Sequence, residues 1–202
     1  MLRVDHLAVG GLPPVSFEVA PHECLALEGP SGAGKTRLLR AIADLDAADG
    51  FVYLDGAERR EVPAPEWRRH VRYASAEPAW WGPRVREHFP AAAKLDPLLL
   101  AVGLEPRLLD RPVSELSTGE RQRLGLVRAI ADEPRVLLLD EPTSALDAQA
   151  AALTEELIRF QILSGRIVVL VSHNPGQVVR LAQARLVLPG NGRAPVVERV
   201  AA

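Results

Sequence analysis

The sequence predicts an α/β fold with a mostly parallel central sheet, an N-terminal antiparallel β portion and a small helical subdomain. Three observations predict it. Short apolar runs of strand length alternate with stretches of helical spacing, the order expected of a parallel sheet covered on both faces. The continuous run Val136-Leu137-Leu138-Leu139 has the composition of a strand buried on both sides. Val15, Phe17 and Val19 alternate with Ser16, Glu18 and Ala20, which is the period of a half-buried strand and assigns Phe17 to the core.

Cys24 to Leu27 form an apolar run that feeds a glycine-rich loop. Beyond it, Leu38, Leu39, Ile42 and Leu45 have helical spacing, and Gly50 restarts an alternating strand through Phe51 and Tyr53 to the turn Asp55-Gly56. From roughly residue 78 to 116 the chain is proline-rich and loses clear periodicity; we expect a helical subdomain with loops, inserted within one domain spanning 1–202. A helix is expected from Ser117 to about Ala131, and another from Asp147 to Ser164 with Gly165 as its stop. The strand Ile167 to Val171 follows. No internal repeat is visible.

At 202 residues the chain is long enough for one sizeable core. Hydrophobic residues at 48%, charged residues at 25% and a net charge of −2 exclude a disordered or strongly basic chain, so no nucleic-acid partner is expected. Cys24 is the only cysteine, which excludes an internal disulfide or a cysteine zinc cluster and fits a reducing cytosol. Met1 to His6 lack the basic and apolar regions of a signal peptide, and Ile167 to Val171 is too short to cross a bilayer, so a membrane role is expected only through a partner.

The loop Gly29-Pro30-Ser31-Gly32-Ala33-Gly34-Lys35-Thr36 fits the P-loop pattern, in which glycines let backbone N–H groups curl around phosphate oxygens at the positive end of a helix. Lys35 is expected to bridge the β- and γ-phosphates, and Thr36 to place its hydroxyl on Mg²⁺. The plainer alternative, a glycine-rich turn before a helix, is weakened by the strand in front and the helix behind.

Asp140 and Glu141 close the run from Val136, at the carboxyl edge of the sheet where α/β folds bind ligands. Successive strand side chains point to opposite faces, so the two acids are expected to differ in task. Asp140 suits the Mg²⁺ shell and Glu141 suits polarising a water for attack on a γ-phosphoryl group. An isolated Asp-Glu-Pro is otherwise an ordinary solvated strand end.

Taken together, these stretches resemble ATP-binding cassette proteins. Asp140-Glu141-Pro142-Thr143-Ser144-Ala145-Leu146-Asp147 is similar to their Walker B and D-loop stretch, Leu116-Ser117-Thr118-Gly119-Glu120-Arg121-Gln122-Arg123 to their signature segment, and His173 in Val171-Ser172-His173-Asn174 to their switch histidine. The order and spacing cover nearly the whole chain. The resemblance implies a P-loop NTPase fold, ATP and Mg²⁺ as ligands, and two cassettes arranged head to tail as a homodimer or heterodimer. Each ATP would then lie between one P-loop and the other subunit's Ser117, Thr118, Gly119 and Glu120, with Asp147 also reaching across. It further implies Glu141 and His173 as catalytic groups, a transmembrane permease partner, and a place on the cytoplasmic face of the membrane. The expected function is the ATP-hydrolysing subunit that powers a membrane transporter; a non-transport or regulatory cassette with weak hydrolysis is the alternative.

Several of these residues also have local structural readings. Ser117 and Glu120 make an ordinary capping box, which leaves Gly119, a poor first-turn residue, unexplained. Asp147 is a good N-cap, and a histidine at a strand end is commonly just hydrogen-bonded.

The sequence also departs from the family pattern. The glutamine usually found after the Tyr-x-x run aligns with Ala76, with Glu77 one residue along. No aromatic ring but Phe17 precedes Gly29, histidines aside, so the base lacks its usual stacking partner and Leu12 is left as an apolar substitute. Trp80 and Trp81 lie where the family receives the permease, with packing between subdomains as the other reading.

Overall fold

The computed structural model describes residues 1–91, 93–190 and 193–200. Two sheets pack into layers. The first is antiparallel and is built from β1 (Leu2–Ala8), β2 (Val15–Val19), β4 (Asp49–Leu54) and the two-residue β5 (Ala57–Glu58), in the order β2-β1-β4-β5. Alternation decides its inner face: Val15, Phe17 and Val19 are buried and Ser16 and Glu18 are exposed. In β4 the buried side chains are Val52 and Leu54, while Phe51 stands exposed with Arg60 over its ring.

The second sheet joins β3 (Cys24–Glu28), β6 (Val71–Ala74), β7 (Val136–Asp140), β8 (Ile167–Val171), β9 (Ala184–Val187) and β10 (Val196–Arg199) in the order β10-β9-β3-β8-β7-β6. All its pairings are parallel except β9 with β10. Both faces of the inner strands are covered, and side-chain alternation divides each strand between two cores. Val136, Leu138, Val169, Leu25 and Leu27 face α1 (Lys35–Ile42) and the antiparallel sheet. Leu137, Leu139, Val168, Leu170 and Ala26 face α4 (Thr118–Ala131) and α5 (Ala148–Leu163).

The remaining helices are short. α2 (Ala64–His70) presses Trp67 into the first core, where its indole N–H donates to the Ile42 carbonyl at 2.9 Å. α1 stops at Ile42 and Asp44 turns left-handed at φ 59°, so Leu45, which the sequence pattern includes in that helix, lies beyond it and is exposed. Between residues 78 and 116 the structure has one α-helix, α3 (Asp96–Ala101), and three 3₁₀ turns among the described residues; residue 92 lies outside them. Val85, Leu99, Val102 and Leu109 from this stretch enter the same apolar cluster as α4 and the sheet. α6 (Pro175–Leu181) follows β8. Among the described residues no helix is long and apolar enough to cross a membrane.

Trp80 and Trp81 part company. Trp80 packs against the second core, Trp81 is 73% exposed, and the Arg128 guanidinium lies over both rings, at 4.8 and 5.0 Å.

Candidate functional site

The phosphate-type loop spans the gap between β3 and α1 and forms one wall of a cleft of about 520 Å³. Ser31, Gly32, Ala33, Gly34, Lys35 and Thr36 line that cleft. Gly29 and Pro30, which the pattern groups with them, do not. Gly29 serves a packing role: its φ is 143°, and a Cβ there would lie 2.3 Å from the Leu188 carbonyl oxygen, so only glycine lets the loop leave β3 beside the segment after β9. Both residues still meet the site through their carbonyls, which accept from Lys35 Nζ at 2.8 and 3.0 Å. Burial pushes the Lys35 ammonium down from the usual lysine value, while Glu141 and Asp140 pull it back up.

The opposite wall is the end of β7. Asp140 has the parity of Val136 and Leu138, so it points toward α1, where its Oδ2 accepts from Thr36 Oγ1 at 2.7 Å. The same oxygen accepts from Tyr73 OH at 3.0 Å. The parallel register that pairs Tyr73 with Leu138 puts Tyr73 on this face. Burial, then the neighbouring Asp140 carboxylate, pushes the Tyr73 hydroxyl well above the ordinary phenol range, so it stays a donor.

Glu141 turns the other way. It adopts φ 50°, an uncommon region for a residue with a side chain, and its N–H donates to the Val171 carbonyl at 3.0 Å, which holds the reversal against β8. Its Oε1 lies 3.1 Å from Nε2 of His173, which follows β8. Asp140, Glu141 and His173 thus share the cleft with Lys35 and Thr36.

Thr36 and Asp140 fit a hard cation. Their donors are oxygens, and no group of three or more His, Cys, Asp or Glu able to hold a metal exists among the described residues. A cation here would take most of its shell from water and phosphate oxygens, which is the preference of Mg²⁺.

Ser117, Thr118, Gly119, Glu120 and Asp147 do not line this cleft. Ser117 and Glu120 complete the capping box of α4, at 2.8 and 3.2 Å, and Asp147 Oδ1 accepts from Ala150 N at the start of α5. Gly119 has a negative φ, and a Cβ there would meet Ala145 O and Leu146 Cδ2 at 3.4 Å, an ordinary contact. The chain's own packing therefore does not demand glycine at 119.

Two residues that sequence reasoning passed over belong to the site's frame. Tyr73 is one. The other is Gln122, almost fully buried, whose Nε2 donates to Glu141 O at 2.9 Å, Ser144 Oγ at 3.1 Å and Ala76 O at 3.3 Å, and whose Oε1 accepts from Ala145 N. Its place in a charged helical run gives no sign of burial. Ala76 offers only its backbone to this network, and Glu77 is exposed and does not line the cleft.

A family model described as ABC transporter matches residues 12–144, about two thirds of the chain and including the phosphate-type loop, the capped α4 segment and the Asp140-Glu141 pair. The chain belongs to the ABC transporter family. It is 37% identical over 180 residues to Protein STAR1 of Oryza sativa subsp. japonica, covering 83% of this chain and 52% of that protein. It is 39% identical over 198 residues to the Fe(3+) ions import ATP-binding protein FbpC of Streptomyces coelicolor, covering 90% of this chain and 56% of that protein. The chain thus spans about half the length of these curated relatives. A solved structure described as the ATP binding subunit of an ABC transporter superposes with a TM-score of 0.88 at 26% identity, over 99% of this chain and 90% of that one. The α/β P-loop fold with its antiparallel N-terminal portion is that of ABC ATPase domains.

Replacing Tyr73 by Phe removes one of the two donors to Asp140 Oδ2. Denaturant unfolding of Tyr73→Phe in the absence of nucleotide is expected to show a loss of about 1 kcal/mol, the worth of one partly buried hydrogen bond.

Proposed function

We propose that the chain is the ATP-binding and ATP-hydrolysing component of a membrane transporter, working as one of two cassettes that close on ATP. The observation that carries this reading is the Glu141–His173 contact of 3.1 Å in the same cleft as Lys35 and Thr36. A loop built to hold phosphates is common to many chemistries; a carboxylate poised beside it with a histidine partner is what hydrolysis of the terminal phosphate needs.

In this reading the backbone N–H groups from Ser31 to Thr36 cradle the phosphates, and Lys35 exchanges its two loop carbonyls for β- and γ-phosphate oxygens. Thr36 and Asp140 would hold Mg²⁺, with Tyr73 fixing the Asp140 carboxylate. Bound Mg²⁺ supplies neutralisation of charge shared by the β- and γ-oxygens. Glu141 accepts a proton from a water as that water's oxygen bonds to the γ-phosphorus and the bond to the β–γ bridging oxygen breaks, releasing ADP and phosphate. His173 orients Glu141 and contacts the γ-phosphate. Ser117, Thr118, Gly119, Glu120 and Asp147 serve the ATP of the opposite cassette, which accounts for a glycine at 119 that the chain's own packing does not require.

The permease is the second partner. Trp81 stands exposed above Arg128 and beside Trp80, in the stretch where the family receives its transmembrane subunit, and docking there would place the chain on the cytoplasmic face of the membrane. Large exposed aromatic groups of this kind favour a protein partner.

Replacing Glu141 by Gln is expected to leave ATP binding intact, to lower hydrolysis by about 10²- to 10⁴-fold, and to accumulate an ATP-dependent dimer detectable by light scattering. A persistent monomer at saturating ATP and high protein concentration would contradict the shared site. One observation favours a second reading, a regulatory module with little turnover: Ala76 brings no side-chain oxygen to the site. That reading expects Ala76→Gln, assayed with its membrane partner, to raise the ATPase rate; brisk turnover by the parent protein would rule it out.

A further inference from the structure

A triphosphate on the loop with its terminal phosphate toward Glu141 leaves the nucleoside at the other end of the cleft. Gly10, Gly11, Leu12 and Pro13 line the cleft beside the start of α1, with the Arg37 side chain lying on Gly10 and Leu12 against Gly34. None of these residues is aromatic. Leu12, the apolar substitute the sequence offers, packs against the first core and against Gly34, where the nearest of its atoms would lie 3.5 Å from a Cβ at that glycine. Its apolar surface is thus partly committed to the fold.

Arg37 has the opposite character. It sits in the first turn of α1, next to Thr36, and is exposed. Its Nη1 donates to the Gly10 carbonyl at 3.2 Å, its one hydrogen bond among the described residues. The side chain lies flat enough on the loop that a Cβ on Gly10 would fall 2.6 Å from Nη1 and 3.1 Å from Cδ. The exposed guanidinium is therefore held at Gly10 by one nitrogen, on the lining of the cleft. A guanidinium is planar and weakly hydrated, and it stacks on aromatic faces; a lysine in its place would offer the charge without the plane.

We propose that Arg37 is the nucleobase platform of this chain: its guanidinium plane, held over Gly10, stacks on the base of the bound nucleoside triphosphate. The assignment rests on the ATP-binding reading of the cleft and adds to it what holds the base. Contact with a face, rather than with base edges, makes purine triphosphates nearly equivalent, so ATP and GTP should bind alike.

The test compares equilibrium binding of ATP, GTP and inorganic tripolyphosphate, by calorimetry, to the parent protein and to Arg37→Ala, Arg37→Lys and Arg37→Tyr. Arg37→Ala should weaken ATP about tenfold or more while leaving tripolyphosphate within about threefold. Arg37→Lys should be as weak for ATP as Arg37→Ala, and Arg37→Tyr, which restores a flat ring without charge, should recover the loss. Unchanged ATP affinity in Arg37→Ala overturns the proposal. So does an equal loss of ATP and tripolyphosphate that Arg37→Lys repairs, since that marks a phosphate contact, and so does a strong preference for ATP over GTP. A parent that binds tripolyphosphate as tightly as ATP removes any base contact yet leaves the phosphate-loop reading standing. A parent that binds neither overturns both.

Discussion

At the end of β7 the chain reverses through Glu141, which takes a left-handed φ of 50° and gives its N–H to Val171 on β8. Much of the site follows from that bond. It lets Asp140 keep strand parity and face α1, while Glu141 leaves the sheet toward His173. Without the reversal, the two carboxylates would continue the alternation of a strand and only one would face the cleft. The uncommon backbone is tolerated because β7 is locked on both sides, by β6 in parallel register and by β8 through Asp140 opposite Val171. Gln122 adds a third hold, from α4 to the Glu141 carbonyl.

The same frame keeps the capped start of α4 apart from the cleft. Its phosphate loop, Asp140, Glu141 and His173 meet in one cleft, whereas Ser117 and Asp147 cap helices outside it and Gly119 lies in the first turn of the helix that Ser117 caps. Gly119 lies in ordinary contact with Ala145 and Leu146. A surface that presents a helix N-terminus and a glycine, with no internal need for that glycine, is suited to phosphates carried by another molecule. In the proposed reading the cleft and the capped segment are the two halves of a site shared between cassettes.

Much of this was legible in the sequence, and for physical reasons. Val136 to Leu139 could hardly be other than a doubly buried strand, Ser117 and Asp147 are strong helix caps, and Gly165 has the left-handed stop expected of it at φ 96°. Glycine spacing ahead of Lys35 announced a phosphate-type loop. What sequence could not supply was anything set by strand register or by contact between distant segments. Tyr73 reaches Asp140 only because β6 pairs with β7 at Leu138. The need for glycine at 29 comes from the Leu188 carbonyl, on a segment far along the chain. Leu45 continued the helical pattern past a left-handed Asp44 that periodicity does not encode, and the separation of Trp80 from Trp81 depends on which one turns toward the second core.

In the proposed reading Asp140, oriented by Thr36 and Tyr73, makes the end of β7 a divalent-cation site facing the phosphate loop. Titrating ATP with and without Mg²⁺ into the parent and into Asp140→Asn tests it most directly. Mg²⁺ is expected to tighten ATP binding in the parent, and Asp140→Asn to keep the Mg²⁺-free affinity but lose most of the tightening. Full Mg²⁺ enhancement in Asp140→Asn would contradict it.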